Sequence, residues 1–400
     1  MPGRIFVTGL GIISGIGNNL EENLDSLLRS KSGIDKLYYL QSPLRDSILV
    51  SEVKSTTEEL FQRAGIPVQE GYSRNSLLGI IAATEAANLA QLKSFPGLRT
   101  GLISGTTVGG MDECEKHYQD FLTNDNANIY IDTYDCADST EKIADSLGIN
   151  DYITTISTAC SSASNAILLG ARMIRNGKLD RVVAGGTESL TRFHLNGFNA
   201  LKILDSDPCK PFDQNRKGIN LGEGAAYLVI ESEDSVRSSG KKIYAELIGW
   251  GNSCEAFHQT ASSPDGTGAF LAMEKALEMS GLKPGEIDYI NAHGTGTDNN
   301  DIAEGRAIER LFGQHLPRIS STKPFTGHTT SAAGSTEAIL SILCIQHQLI
   351  WPNLNFSEQM HDLNFSPVTK LMRDVRVNAV MTNSFGFGGN DTSLIFKKYE

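Results

Sequence analysis

Four polar side chains stand where a β-type apolar run gives way to small residues. They are Cys160 in TTISTACSSASNAI, His293 in NAHGTGT, Lys323 in SSTKPFTGH, and His328 five residues further on. In an α/β protein, functional groups gather at the carboxyl ends of strands, and all four occupy that kind of position. A cysteine attacks as its thiolate, and a helix N-terminus favours that anion through unsatisfied N–H groups and the macrodipole. The small residues Ser161 to Ser164 leave room for a substrate beside the sulfur. A histidine in a loop such as HGTGT can donate one hydrogen bond and accept another. A lysine beside two imidazoles keeps both neutral. Taken singly, each residue also fits a plainer reading: a buried thiol, a core imidazole bonded to backbone, a lysine that snorkels to the surface.

The turn NSFGFGGND sets Gly386, Gly388 and Gly389 around Phe387. Such a turn lets backbone N–H groups approach a ligand closely, an oxyanion hole being one use. It serves equally as a tight hairpin. No strand-opening GxGxxG and no Walker A motif is present.

The elements needed to position these groups follow from periodicity. RIFVTGLGII, RTGLISG, YITTIS and DRVVAGG read as buried strands. After Cys160, the spacing of Ala163, Ile167, Ala171 and Ile174 predicts a helix over about 161–176 with one apolar face. KGINLGEGAAYLVIES reads as strand, turn, strand, and residues 112–150 as a polar cap or partner-facing segment. The second half repeats this order. ISTACSSASNAILLGARMI stands opposite ISSTKPFTGHTTSAAGSTEAILSILCI, and INLGEGAAYLVIE opposite TNSFGFGGNDTSLIF. An α/β unit is therefore duplicated within the 400 residues, as 1–245 and 246–400, with no linker between the copies.

Composition narrows the class. The chain is 40% hydrophobic and 20% charged with a net charge of −12, which argues against nucleic acid as a partner. No apolar run approaches the roughly 18–20 residues of a membrane span, and the N-terminus has no signal-peptide pattern. Cysteines 114, 136, 160, 209, 254 and 344 are scattered without a CxxC pair, as expected of a reducing cytoplasm and not of a zinc site or disulfide scaffold.

Together, TACSS at 158–162, AHGTGT at 292–297, TKPFTGHTTSAAG at 322–334 and NSFGFGG at 383–389 resemble the β-ketoacyl-[acyl-carrier-protein] synthases of the decarboxylating Cys-His-His type. The likeness spans almost the whole chain, including VTGLG, AGGTES and KPFDQNRKGINLGEGA. It implies the thiolase fold, two duplicated halves in five α-β-α-β-α layers, as a homodimer. It implies an acyltransferase that needs no metal or organic cofactor and elongates fatty acyl, polyketide or aryl-polyene chains. Acyl and malonyl groups would arrive on the phosphopantetheine of an acyl carrier protein. Cys160 would hold the acyl chain as a thioester, and His293 and His328 would stabilise the enolate formed from malonyl. Lys323 would tune His328, with Glu304 as its electrostatic partner. The N–H groups of Cys160 and Phe387 would form the oxyanion hole. Phe387, between Gly386 and Gly388, would act as a gate with Phe198 at the same entrance. The acidic carrier calls for a local basic patch, for which Lys202, Arg74, Arg172 and Arg175 are candidates.

Three stretches depart from the family pattern: HGTGTDNND in place of HGTSTPxGD, Pro324 in place of serine, and GGND in place of GGTN. They surround the histidines and the gate, so they bear on substrate preference. Thiolase is disfavoured because the C-terminal glycine turn lacks a cysteine. The Cys-His-Asn initiating synthase is disfavoured because the third member is His328. A chain-length-factor-like subunit, the remaining alternative, would lack the nucleophile that Cys160 supplies.

Overall fold

The computed structural model describes residues 3–399. Its ten strands are β1 (Ile5–Ser14), β2 (Thr100–Gly105), β3 (Tyr152–Ile156), β4 (Arg181–Glu188), β5 (Gly224–Ser232), β6 (Ala245–Cys254), β7 (Tyr289–Asn291), β8 (Arg318–Ser320), β9 (Ala379–Gly386) and β10 (Asn390–Lys397). They lie in the order β3-β2-β4-β5-β1-β6-β10-β9-β7-β8. Numbered within its own half, each set of five reads 3-2-4-5-1, and the two sets meet at their first strands. The directions repeat as well. The outer three strands of each half are parallel and the remaining pairings antiparallel. Among the described residues, only Phe6–Glu246 and Val7–Ala245 pair across the junction.

The duplication extends to close packing. Gly9 and Gly11 of β1 lie under the helix Arg74–Leu89, where a Cβ would come within 2.1 Å of the Ala86 carbonyl and 2.0 Å of the Ala82 carbonyl. Gly249 and Gly251 of β6 repeat this against Ala276 and Ala272 of the helix Thr267–Ser280, at 2.3 and 2.1 Å. Any side chain there would push an outer helix off its sheet.

Two further helices, Ser162–Arg175 and Ala333–His347, form the middle layer. Their Ile167, Ala171, Ile339 and Leu343 share one core with Val182 and Leu228 from the first half and Leu247, Val380 and Leu394 from the second. Every residue from Ala333 to Ile345 is buried, as expected of a helix covered by sheets on both faces. The result is five layers, α-β-α-β-α.

Two segments differ from the sequence expectation. Residues 217–223 form no strand; β5 pairs with β4 and β1 instead. Leu221 bridges His328 in parallel, and the Gly222 N–H donates to the His328 carbonyl at 2.9 Å. The apolar pattern at Ile219 and Leu221 marks burial under the His328 loop. Residues 112–150 are largely helical, through Met111–Phe121 and Cys136–Leu147. They nonetheless expose Tyr118, Phe121, Leu122, Ile129 and Tyr134.

Candidate active site

Cys160 is the fourth of the five residues, 157–161, between β3 and the helix Ser162–Arg175. Ala159 takes a left-handed φ of 51°, a conformation that costs a non-glycine residue about 1–3 kcal/mol. Side-chain bonds hold it there. Ser162 Oγ accepts from the Thr158 N–H at 2.8 Å and donates to the Ala159 carbonyl at 2.7 Å. Ser161 Oγ and Asn165 Nδ2 both donate to Asn390 Oδ1, at 3.1 and 2.8 Å, which ties this turn to the glycine turn before β10. The backbone N–H groups of Phe387 and Cys160 both favour the thiolate form of this sulfur.

The sulfur is buried, and burial outweighs the helix N-terminus. It pushes the thiol up to about 11, against the opposing pull of Lys323 and the two N–H groups. Sequence reasoning saw the favourable dipole and missed the larger desolvation.

His328 Nε2 lies 3.0 Å from Cys160 Sγ. The His328 N–H donates to the Asn220 carbonyl at 2.8 Å, and its Nδ1 has no hydrogen-bond partner among the described residues. The His293 ring stands edge-on to it with centroids 5.4 Å apart. Sγ and one nitrogen from each ring all lie within 4.8 Å of one another. Such a set could also ligate a soft cation, but the Lys323 amine, 3.2 Å from His293 Nδ1, sets a competing donor against it. Because lysine only donates, Nδ1 is the acceptor and the ring proton sits on Nε2. Burial, with Lys323 next, holds both imidazoles well below their ordinary pKa, so both are neutral at pH 7.

Burial lowers the His328 pKa and Lys323 lowers it further, so Lys323 does tune His328, but the contacts it makes differ from the expectation. Its Nζ reaches His293 through Nδ1 and the carbonyl oxygen, and not His328. Its carboxylate partner is Glu337, and not Glu304. Glu304 instead accepts from the N–H groups of His293 and Gly294, at 2.9 and 2.8 Å, and from Asn383 Nδ2 at 3.0 Å. One turn earlier, Asp301 accepts from the Thr295 and Gly296 N–H groups at 3.0 and 3.1 Å. Both carboxylates therefore shape the loop that carries His293. Glu337 was missed, although it is the one acidic residue in AGSTEAILSILCI. Burial raises its pKa to about 7 while Lys323 opposes the rise.

A cavity of about 200 Å³ opens from the triad to solvent. Phe387 and Phe198 stack across it with centroids 5.7 Å apart and planes 20° apart. Gly386 and Gly388 line it, Gly388 with a φ of 83°. Lys202 reaches its rim, as does Lys217, which sequence reasoning did not select. The other three docking candidates do not. Arg74 is buried, bonding Glu223 at 2.7 Å and the carbonyls of Ser55 and Val53, so it braces the core. Arg172 and Arg175 are exposed in the last turn of the helix that follows Cys160. At 1.5 Å per residue that is roughly 18–22 Å from the sulfur, at the far end of the helix.

Comparisons with known proteins agree with this geometry. Residues 3–235 match the model of the β-ketoacyl synthase N-terminal domain, and 244–357 that of the C-terminal domain. The 3-oxoacyl-[acyl-carrier-protein] synthase 2 of Staphylococcus aureus (strain COL) is 32% identical, covering 99% of both chains. That of Synechocystis sp. is 33% identical over 99% of this chain and 98% of its own. Among solved structures, the ishigamide ketosynthase/chain length factor superposes with a TM-score of 0.92 at 30% identity over the full length of both chains. The ketosynthase ApeO in complex with its chain length factor ApeC, from Xenorhabdus doucetiae, gives 0.84 at 30% identity over 99% and 98%. Matched by both family models and by relatives over nearly its whole length, the chain belongs to the β-ketoacyl synthase family.

Proposed function

We propose that the protein is a 3-oxoacyl-[acyl-carrier-protein] synthase that joins malonyl-ACP to an acyl chain held on Cys160. The observation that carries this reading is the approach of His328 Nε2 to within 3.0 Å of Cys160 Sγ, with His293 in the same cluster. In the first half-reaction His328 takes the thiol proton. The thiolate attacks the acyl-ACP carbonyl, and the oxyanion rests between the N–H groups of Cys160 and Phe387. The pantetheine sulfur leaves with the proton, which His328 returns.

In the second half-reaction, the Nε2–H groups of His293 and His328 hydrogen-bond the malonyl thioester carbonyl. The bond to the carboxylate breaks, CO2 leaves, and its electron pair enters the enolate. The enolate carbon attacks the acyl-Cys160 carbonyl, and the cysteine thiolate departs and takes up one proton from solvent, the proton that the overall reaction consumes. His328 Nε2 must accept in one half-reaction and donate in the other, and its unpartnered Nδ1 leaves its tautomer free to change. His293 only donates, and Lys323 pins it for that role.

Lys202 and Lys217 at the rim suit the acidic carrier. The duplicated halves, 1–245 and 246–400, contribute Cys160 and the histidines respectively. Homodimerisation would use the free edge of β3, which pairs only with β2 and exposes Ile153. No described helix is long and apolar enough to cross a membrane. All six cysteines are free, which supports a cytoplasmic setting. The family departures beside the gate favour a specialised chain over primary fatty acids. Intact-mass analysis with a panel of acyl-ACPs tests the assignment. The expected result is a thioester adduct on the wild type that Cys160→Ala abolishes; an adduct that survives the substitution would overturn the nucleophile.

A further inference from the structure

The glycine turn and the turn that carries Cys160 lie against each other. A Cβ added at Gly386 would come within 2.9 Å of the Thr158 carbonyl and 3.2 Å of Ser161 Oγ. The side chain that fastens them is Asn390, the first residue of β10, paired with Gly386 of β9 and Cys254 of β6. It stands in GGND, where the family pattern has threonine at this position.

Three side chains donate to one atom, Asn390 Oδ1. They are Ser161 Oγ at 3.1 Å, Asn165 Nδ2 at 2.8 Å and Asn252 Nδ2 at 3.0 Å. Three donors on one oxygen fix which way the amide faces. Ser161 directly follows Cys160, and Asn165 lies in the first turn of the helix behind it. Asn252 belongs to β6, so the donors come from both halves. They are held in turn. Asn165 Oδ1 accepts from Asn252 Nδ2 at 3.1 Å and from Thr392 Oγ1 at 2.9 Å. The three asparagines are half-buried and Thr392 fully buried, which strengthens such a network over one in open water. A shorter side chain at 390 would leave Ser161 and Asn165 without this partner. The effect falls on the nucleophile. Phe387, whose N–H favours the Cys160 thiolate, stands three residues before Asn390 in the same turn. The imidazoles are held by other groups: the His293 loop by Glu304, and the His328 N–H by the Asn220 carbonyl.

We infer that Asn390 is a positioning residue for Cys160: its amide oxygen clamps the nucleophile turn to the glycine turn, keeping the Phe387 N–H in place for acyl transfer and leaving the imidazoles unaffected. This rests on Cys160 being the acyl carrier, as proposed above.

The test compares two rates in each variant: thioester formation on Cys160 from octanoyl-ACP, and CO2 release from malonyl-ACP, which in the proposed mechanism needs only the histidines. Asn390→Ala is expected to slow acylation about tenfold and to leave CO2 release within about twofold of the wild type. Asn390→Asp keeps an accepting oxygen at the same place and is expected to retain most of the acylation rate. Equal losses in both rates, or an unchanged acylation rate, in folded Asn390→Ala would overturn the inference. So would a folded Asn390→Asp variant as slow as Asn390→Ala. Should Asn390→Ala not fold, Asn390→Ser, whose hydroxyl stops short of the three donors, is read by the same two rates. Iodoacetamide labelling of Cys160 needs no carrier and separates the clamp from the reaction it serves. Labelling at pH 9 is expected to be slower in Asn390→Ala, and unchanged or faster labelling would overturn the clamp. A wild type that takes no acyl group, while Asn390→Ala still labels more slowly, would instead overturn the underlying reaction and leave the clamp standing.

Discussion

The same position in each half, after the third strand and before the buried helix, is built in two ways. After β3 the chain uses five residues, 157–161; after β8 it uses twelve, 321–332. The short turn delivers a single atom, Cys160 Sγ, to a helix N-terminus among backbone N–H groups. The long one carries two side chains that diverge. Lys323 goes to the His293 loop and Glu337, and His328 crosses to the sulfur. On the function proposed above, one duplicated scaffold would thus separate holding the acyl group from stabilising charge. The lesson is that loop length at a repeated position sets how many chemical tasks a half can take on.

The largest effect expected from breaking this division is at its two poles. Cys160→Ala should abolish condensation, a loss of at least about 10³-fold, while CO2 release from malonyl-ACP persists through the second half. His293→Ala should remove both activities. A Cys160→Ala enzyme that has also lost decarboxylation would show that the halves do not work separately.

Next is the buried pair behind His293. Lys323→Met strands Glu337 in the core, which should cost about 3–5 kcal/mol, read by chemical denaturation, and slow decarboxylation. Adding Glu337→Leu should restore most of the stability and little of the activity. Full kinetic recovery in the double variant would reduce Lys323 to a packing role.

The two sides should also differ with pH. The Cys160 thiol, raised to about 11, is protonated at neutral pH, and its thiolate grows as pH climbs toward that value. Alkylation of Cys160 by iodoacetamide should rise through pH 9–11 while exposed Cys254 reacts first at pH 7. Lys323→Met removes the main influence opposing burial and should slow Cys160 labelling at pH 9 several-fold. The imidazoles, held well below their ordinary pKa, should keep decarboxylation flat from pH 8 to pH 7. A decline across that window would mean that one of them charges there.

The smallest effect is at the rim, where the first half supplies Lys202 and Lys217 and the second supplies Asp298. Lys202→Glu with Lys217→Glu should raise KM for the carrier-bound substrate about 3–10-fold and weaken its salt dependence. Arg172→Ala with Arg175→Ala should change it less than twofold. The opposite order would move the docking face to the far end of the helix.

How far the site was legible depended on whether a residue acts through its own loop or through packing. Cys160, His293 and His328 sit at strand ends in recognisable motifs, and the structure brings all three together. The partner of Lys323 was misassigned because Glu304 and Glu337 are both nearby in sequence, and only the packing of the helix Ala333–His347 puts Glu337 against the amine. Arg74 looked like a surface charge because nothing local announces Glu223, 149 residues away. The false strand at 217–223 has the right burial and the wrong reason. Its apolar residues lie under the His328 loop, an environment that periodicity alone does not distinguish from a sheet.

Sequence by itself determined the duplicated order of elements, the apolar face of the helix after Cys160, and the placement of Cys160, the imidazoles and the glycine turn at strand ends. These follow from local chemistry: side-chain periodicity, β-branching and the conformational freedom of glycine. The tertiary structure alone decided the raised thiol, the pairing of Lys323 with Glu337, and the pinned tautomer of His293 beside the free one of His328. Each depends on desolvation and on which groups meet across large separations in the chain, and neither is written in the spacing of neighbours.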